Sequence, residues 1–427
     1  MKLSQYFLPT LKESPISATA MSHQLMLRAG MIRQVAAGLY QWLPLGIKVL
    51  NKVEEIVREQ LDAMGCQEIR IPTMQPIDLW VKSGRYQDGI EIKAQMLVAR
   101  NKKGNDLIFS PSAEEAVTEM VKNDIQSYKA LPLKLYQIEN KFRDELRPRF
   151  GAMRLCEFLM KDAYSFDLTE EEAIKSYKAF GEVYLKILNT MGLHAIAVKA
   201  DSGDMGGEFS HEFHIISQIG ESTIFFDKNI LQRIEGGNFT FDDIEKYYVA
   251  AEEKHDITMK SNDIVSSKAI EVGHIFIQGQ KYTKALDFVI QDPNGKKVYP
   301  YAGAYGIGIS RLVAAAIEAN HDDKGIIWHK SISPFSIMII NLFPNNKESK
   351  QMADYTYKML QDQGYDTLYD DTKNAVGYKL SNADLIGIPI QIIIGKTASI
   401  QIKNRATGEI KEVAHKDIIE NITHIIS

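Results

Sequence analysis

At 427 residues the chain is long for one domain and suits two or three, and its 45% hydrophobic and 25% charged residues are ordinary for packed globular cores. A formal net charge of −5 argues against a general nucleic-acid coat and leaves any nucleic-acid contact to local basic patches. Cys66 and Cys156 are too few for a disulfide framework or a four-cysteine zinc site, no apolar run reaches membrane-span length, and Met1–Thr10 lacks an apolar secretory core, so a reducing cytoplasm is the expected compartment.

Ser22–Ala37 is apolar at helical spacing and predicts a helix, broken by the two glycines and the proline of residues 38–46. Ile47–Met64 predicts a long amphipathic helix with Val49, Val53, Ile56, Val57 and Leu61 on one face, stopped by Gly65. Gln67–Pro72 reads as a short strand. A long helix feeding a proline-ended strand suits a surface helix at a sheet edge and a dimer interface equally well. Ser112 is placed to cap a helix over Ala113–Asn123. Leu133–Phe142 alternates as an antiparallel strand, Pro148 and Gly151 supply a turn, and Leu155–Ala163 reads as the return strand. Thr169 caps a helix reaching Gly192, with acidic residues in its first turn. Short strands and glycine turns follow from Ile196, and Lys228–Lys260 is polar and weakly patterned, as a small inserted element would be. Val298–Ile309 is a glycine-rich strand entering a helix over Ser310–Asn320. After Pro334 the rhythm changes to strand (Ile337–Leu342), helix (Lys347–Gln363), strand near Tyr365, helix (Lys379–Ile386), strand (Gln391–Ile394) and a final pair. This is an α/β module of about a hundred residues, a normal size for an independent domain.

Residues 143–162 carry the densest chemistry: four arginines, Glu145 and Phe158 in one strand-loop-strand unit. Guanidinium forks match phosphate and carboxylate oxygens, a carboxylate can read the edge of adenine, and an aromatic ring can cover its face. A basic surface hairpin with solvated salt bridges is the plain alternative. The second segment, Gly303-Ala-Tyr-Gly-Ile-Gly-Ile-Ser-Arg311, lets a backbone approach a ligand and puts Arg311 in the first turn of a helix, where the dipole favours phosphate. It is neither a Walker loop nor a dinucleotide fingerprint. In the third, Ser110-Pro-Ser-Ala-Glu-Glu115, Glu114 could bind an ammonium or imino group that Ser112 orients; taken alone it is an ordinary acidic helix start. His211-Glu-Phe-His214 invites a metal reading, but a strand puts its two histidines on opposite faces. His255, His321 and His329 lie among charged residues and are expected to be exposed.

Together the three segments resemble the signature motifs of class II aminoacyl-tRNA synthetases. Gly38–Pro76 looks like motif 1, Leu133–Asp162 like motif 2 and Gly303–Glu318 like motif 3. Arg147–Arg154, Lys161–Phe166, Ser210–Phe213 and Glu271–Phe276 are most similar to the bacterial prolyl branch of that family. The resemblance implies an α+β catalytic domain with an antiparallel β-sheet over 1–330 and a C-terminal α/β anticodon-binding domain over 331–427. It implies ATP-dependent activation of L-proline to prolyl-adenylate and transfer to tRNA(Pro), by a cytoplasmic homodimer paired through motif 1. Arg143 would grip the α-phosphate and the substrate carboxylate, Glu145 would recognise adenine, Phe158 would stack on it, and Arg154 and Arg311 would hold the γ-phosphate. Ser112 and Glu114 would bind the proline imino group with Tyr164 and His211 nearby. Glu271 and His274 match a strand beneath ATP and its Mg²⁺, and no zinc is expected. Lys373 and Lys379 are candidates for phosphate or base contact in the C-terminal module.

The chain departs from the family pattern in places. Ile215–Ala269, with its short insertion at about 220–265, leaves no room for the large editing domain of many bacterial relatives. Ala304, Ser112 and Thr372 stand where cysteine, threonine and arginine are usual. The rival reading is a non-catalytic synthetase-like regulator that binds tRNA or an amino acid. Such proteins typically lose a motif arginine or the C-terminal module, and this chain has both.

Overall fold

The computed structural model describes residues 1–16, 18–86, 96–201, 203, 209–258 and 262–426. Its first α-helix is Met21–Arg28, much shorter than the apolar spacing over 22–37 predicts. Gly30 turns to φ +68°, and the Met31 amide reaches back to the Met26 carbonyl at 2.9 Å, the bond that closes a helix at a left-handed residue. Ile32–Ala36 continues as a strand, so the apolar run crosses from one period to another. The next helix, Pro44–Ala63, buries Val49, Val53, Ile56, Val57 and Leu61 as expected. The strand after it is shorter than expected, Gln67–Glu68, and pairs in parallel with Leu135–Tyr136.

The chain forms two compact units. One comprises Ala37–Leu39 and Glu54–Ala315. Its centre, among the described residues, is a nine-stranded sheet. The arginine-bearing hairpin supplies two of these strands, Leu133–Phe142 and Glu157–Asp167, antiparallel from Leu133 opposite Phe166 to Phe142 opposite Glu157. The glycine-rich strand Tyr301–Gly308 lies beside Glu157–Asp167, and the 16-residue strand Ile264–Gly279 lies beside that. This long strand pairs with Ser222–Asp227 through its first half and with Ser210–Ile216 through its second. The helix Glu170–Thr190 crosses the sheet, and Thr169 caps it by accepting from the Glu172 amide. The segment expected as a polar insertion contributes to this sheet: Val249–Ala251 pairs with Ser222–Asp227, and Phe241 packs on Tyr177 and Phe213. Residues 259 and 260 of that segment lie outside the described residues. His255 is not simply exposed; its ring stacks on Phe225 at 3.7 Å.

The other unit comprises Met1–Ala36, Tyr40–Val53 and Ala316–Ser427, so the boundary expected near residue 330 falls inside it. Its five strands, among the described residues, run in the order Thr367–Asp370, Ile337–Asn341, Ile390–Ile394, Ile400–Asn404, Ile410–Val413. The first three are parallel. Ile337–Asn341 and Ile390–Ile394 are buried at every position, which is why they read as continuous apolar runs rather than alternating ones. Helices Lys347–Asp362, Val376–Ile386 and Ile418–Ile426 accompany the sheet. The middle helix starts three positions before the expected Lys379, and Lys379 is fully buried. Its ammonium donates to the Asn341 carbonyl at 2.8 Å and pairs with Asp370 at 3.2 Å, so this lysine does not present the phosphate or base contact suggested for it. Among the described residues no helix is long and apolar enough to cross a membrane.

Candidate active site

In the unit built on the nine-stranded sheet, a cavity of about 1110 Å³ gathers the residues that the sequence marks. The hairpin contributes Arg143, Glu145, Arg154, Phe158 and Tyr164, the long strand Glu271 and His274, and the start of the helix Ile309–Ala319 contributes Arg311. Ser112 and Glu114 line its far side at the start of the helix Glu114–Asp124. The hairpin and the long strand bring Arg143, Arg154 and Glu271 together because they belong to one sheet, and the starts of two helices close over them with Ser112, Glu114 and Arg311.

Arg143 is half-buried, with its guanidinium 5.3 Å from the centre of the Phe158 ring and one weak bond to the Pro111 carbonyl at 3.4 Å. Among the described residues it has no carboxylate partner. Desolvation and the neighbouring Arg311 lower its pKa, outweighing the carboxylates of Glu271 and Glu114 that pull the other way. Arg311 is fixed by the Met153 carbonyl at 2.9 Å and the Glu271 carbonyl at 2.8 Å, with the Glu271 carboxylate 3.5 Å away. Gly308 makes room for it, since a Cβ there would stand 3.2 Å from the Arg311 stem. Burial alone would raise the Glu271 carboxyl, but Arg311, His274, His214 and Arg143 outweigh it and hold it below its ordinary value.

Arg154 is bound to Glu145 through Nε at 2.8 Å and through its second branch at 3.1 Å. Its remaining nitrogen meets Glu221 at 2.8 Å, and Arg149 pairs with the same Glu221. Glu145 therefore orients Arg154 in this structure, a contact that the sequence motif does not announce.

At the other end Ser112 is not the helix cap expected of it. Ala113 holds the cap position without a side-chain bond, and its amide donates to the Tyr164 hydroxyl at 2.9 Å. Tyr164 in turn donates to Asp162 at 2.7 Å, so both of its hydrogen-bonding functions are committed to holding the helix start. The hydroxyl of Ser112 accepts from both terminal nitrogens of Arg85 at 3.1 Å, and Arg85 also meets Glu114 at 3.1 Å and Glu115 at 3.2 Å. Burial opposes the charge of Arg85, yet Glu115 and Glu114 raise its pKa overall.

Glu212, Glu271 and His274 offer ligand atoms within 4.8 Å of one another, the one such group among the described residues. His214 bonds Glu212 at 2.8 Å, while His211 points to the other face, as strand alternation requires. The structure does not bring His211 to the cavity. Its Nδ1 pairs with the Tyr177 hydroxyl, its ring packs on Phe241, and burial, with Lys199 and His274, lowers its pKa to about 4. It is a neutral core histidine.

Arg85, Glu212 and Glu221 are the residues that sequence reasoning missed. Glu212 was legible in principle, since it alternates with His211 and so shares a face with His214. Arg85 and Glu221 follow a helix-ending glycine and a turn glycine, with no local pattern to mark them.

Comparison with known proteins agrees with this arrangement. A family model described as tRNA synthetase class II core domain (G, H, P, S and T) matches residues 96–320, and one described as anticodon binding domain matches residues 336–425. A proline--tRNA ligase of Rickettsia bellii is 49% identical over 419 residues, covering 97% of this chain and 96% of the relative. One from Wolbachia is 46% identical over 430 residues, covering 99% and 100%. Among solved structures, Giardia lamblia prolyl-tRNA synthetase in complex with prolyl-adenylate has a TM-score of 0.74 at 19% identity, covering 94% of this chain and 75% of that one. A Cryptosporidium parvum prolyl-tRNA synthetase complexed with halofuginone and AMPPNP has a TM-score of 0.77 at 15% identity, covering 98% and 80%. A class II core, an anticodon-binding module and near-half identity along almost the whole length lead to one conclusion: the chain belongs to the proline--tRNA ligase family of class II aminoacyl-tRNA synthetases, in the short form without a large editing insertion.

Proposed function

We propose that this chain uses ATP to activate L-proline as prolyl-adenylate and then transfers the prolyl group to the 3′ end of tRNA(Pro). The observation that carries the reading is Arg143: a guanidinium with no carboxylate partner among the described residues, beside Arg311, in the cavity that the three motifs build. A proline carboxylate oxygen attacks the α-phosphorus, the bond to the β-phosphate oxygen breaks, and pyrophosphate leaves. This chemistry needs positioning and charge neutralisation rather than a protein nucleophile. Arg143 joins the two anions, and Arg311 meets the γ-phosphate, both preorganised where negative charge is handled. Phe158 covers the adenine, whose edge Glu145 reads. Arg154, half-exposed between two carboxylates, can exchange Glu221 for phosphate oxygens. Mg²⁺ enters with ATP as substrate, and the oxygens of Glu271 and Glu212 suit so hard a cation. In the second step the terminal ribose hydroxyl attacks the acyl carbon and AMP leaves, a phosphate oxygen of the adenylate taking the proton.

Ser112 and Glu114 form the imino-acid end, beside Tyr164. The reading takes 1–330 as the catalytic domain and 331–427 as the anticodon-binding domain, in a cytoplasmic homodimer paired through Gly38–Pro76. Family matches over 96–320 and 336–425 support that division.

Proline-dependent exchange of pyrophosphate into ATP tests the first step; its absence with pure protein would favour a non-catalytic tRNA-binding role. Arg143→Ala is expected to lower the exchange rate by about a thousandfold or more, with the circular dichroism spectrum unchanged. Near-normal exchange in that variant would remove Arg143 from the centre of the mechanism.

A further inference from the structure

Arg85 has no role in the reading above, yet it makes more polar contacts in the cavity than any of the motif arginines. Its side chain is only 12% exposed, between Glu114 at 5% and Glu115 at 0%. It spans Ser112, Glu114 and Glu115 with one fork, and its plane lies 4.4 Å from the Trp80 ring centre. Ser83 donates to Glu115 at 2.7 Å and so secures the far carboxylate. The local sequence explains the approach. Gly84 ends the short helix Ile77–Ser83 in a left-handed conformation, and the chain leaves that turn with Arg85 aimed at the start of Glu114–Asp124.

We propose that Arg85 is the positioning residue of the imino-acid end: it fixes Ser112 and Glu114 for a substrate's imino cation. The inference rests on the assignment of Ser112 and Glu114 as the imino-binding pair. Two buried carboxylates face one guanidinium, and buried charge is tolerated only when it is paired. Burial, with Glu114 alongside, raises the Glu115 carboxyl even though Arg85 and the Ser83 hydroxyl oppose the shift. Arg85 need not touch the substrate: it holds the rotamers of the two groups that do. A fork that bonds three side chains at once is not replaced by an ammonium.

The test is proline-dependent pyrophosphate exchange by the full chain, with the KM for proline and for ATP measured separately. Arg85→Gln is expected to raise the proline KM about tenfold or more and leave the ATP KM within about twofold, since losing a charge-assisted bond at one end of the cavity weakens ground-state and transition-state binding of that end alike. Arg85→Lys keeps the charge but not the fork and is expected to recover little of the loss, whereas a role of the arginine as charge alone would be rescued by it. Should Arg85→Gln fail to fold, Arg85→Lys replaces it, with the same split between the two KM values expected. An unchanged proline KM in the folded variant, or proline and ATP KM values rising together, overturns the proposal. Glu114→Gln separates the levels. If it leaves the proline KM unchanged, the pocket assignment falls and Arg85 with it; if it raises that KM while Arg85→Gln does not, only the role of Arg85 falls.

Discussion

Lys161 carries a charge into the centre of the catalytic sheet. It is fully buried, donates to the Tyr184 hydroxyl and to the Tyr305 carbonyl at 3.1 Å, and lies 4.2 Å from the Tyr184 ring centre. Burial lowers its pKa to about 7, although Cys66 and Asp162 pull the other way. An unfolded lysine titrates near 10.4, so the cost of burying this ammonium is full below pH 7 and fades as the pH rises toward 10. Cys66, pushed up to about 11 by burial, opposes that trend once the unfolded thiol ionises above about pH 8.5. The window from pH 7 to 8.5 therefore isolates the lysine. Relative to Lys161→Met, the native protein should gain about 1–2 kcal/mol of unfolding free energy across that window in urea titrations. Parallel pH dependence of the two proteins would show that Lys161 is not neutralised there. Sequence could not forecast this residue, because a lysine in an alternating strand reads as solvent-facing until the helix Glu170–Thr190 is laid over it.

Elements of this chain are tied together by charged groups as well as by apolar faces. Arg405, 3% exposed at the end of the strand Ile400–Asn404, forks onto Asp322 at 2.6 and 2.8 Å and donates through Nε to the Asp384 carbonyl at 3.0 Å. The Arg405 hydrogen bonds outweigh partial burial and hold the Asp322 carboxyl well below its ordinary range. A carboxyl with a depressed pKa contributes stability above its unfolded value near 4 and loses it as the pH falls through and below that value. Arg405→Ala should cost about 2 kcal/mol of stability, less than for a fully buried pair because Asp322 is partly exposed. The urea midpoint at pH 7 checks this, and the gap between the two proteins should narrow below pH 4. A midpoint that stays put would make the pair incidental. Element types were mostly legible: the hairpin strands, the long helix at 44–63 and the isoleucine strands all follow from period and burial. The helix predicted over 22–37 fails because apolar residues continue past Gly30 while the backbone does not.

Over the whole molecule, 55 residues from Ile215 to Ala269 form part of the central sheet and its short connections. No further folded domain is formed by the described residues of that stretch. Incubated alone with alanyl-tRNA specific for proline, the chain should release alanine no faster than the spontaneous hydrolysis measured without protein. Rapid deacylation would mean that another part of the molecule edits. Most of the candidate site was already legible in three segments, since arginines, glycines and a Ser-x-Glu turn have few joint uses outside nucleotide and amino-acid binding. Sequence alone therefore determined the fold class and the family, and ten of the eleven site residues that it named line one cavity. Tertiary structure decided the rest: His211 turned into the core, Lys379 paired with Asp370, Glu145 bound to Arg154, and Arg85 gripping Ser112 and Glu114. The physical reason is common to all four. A local period says which residues share a face, but only strand pairing and helix packing between distant segments say what that face meets.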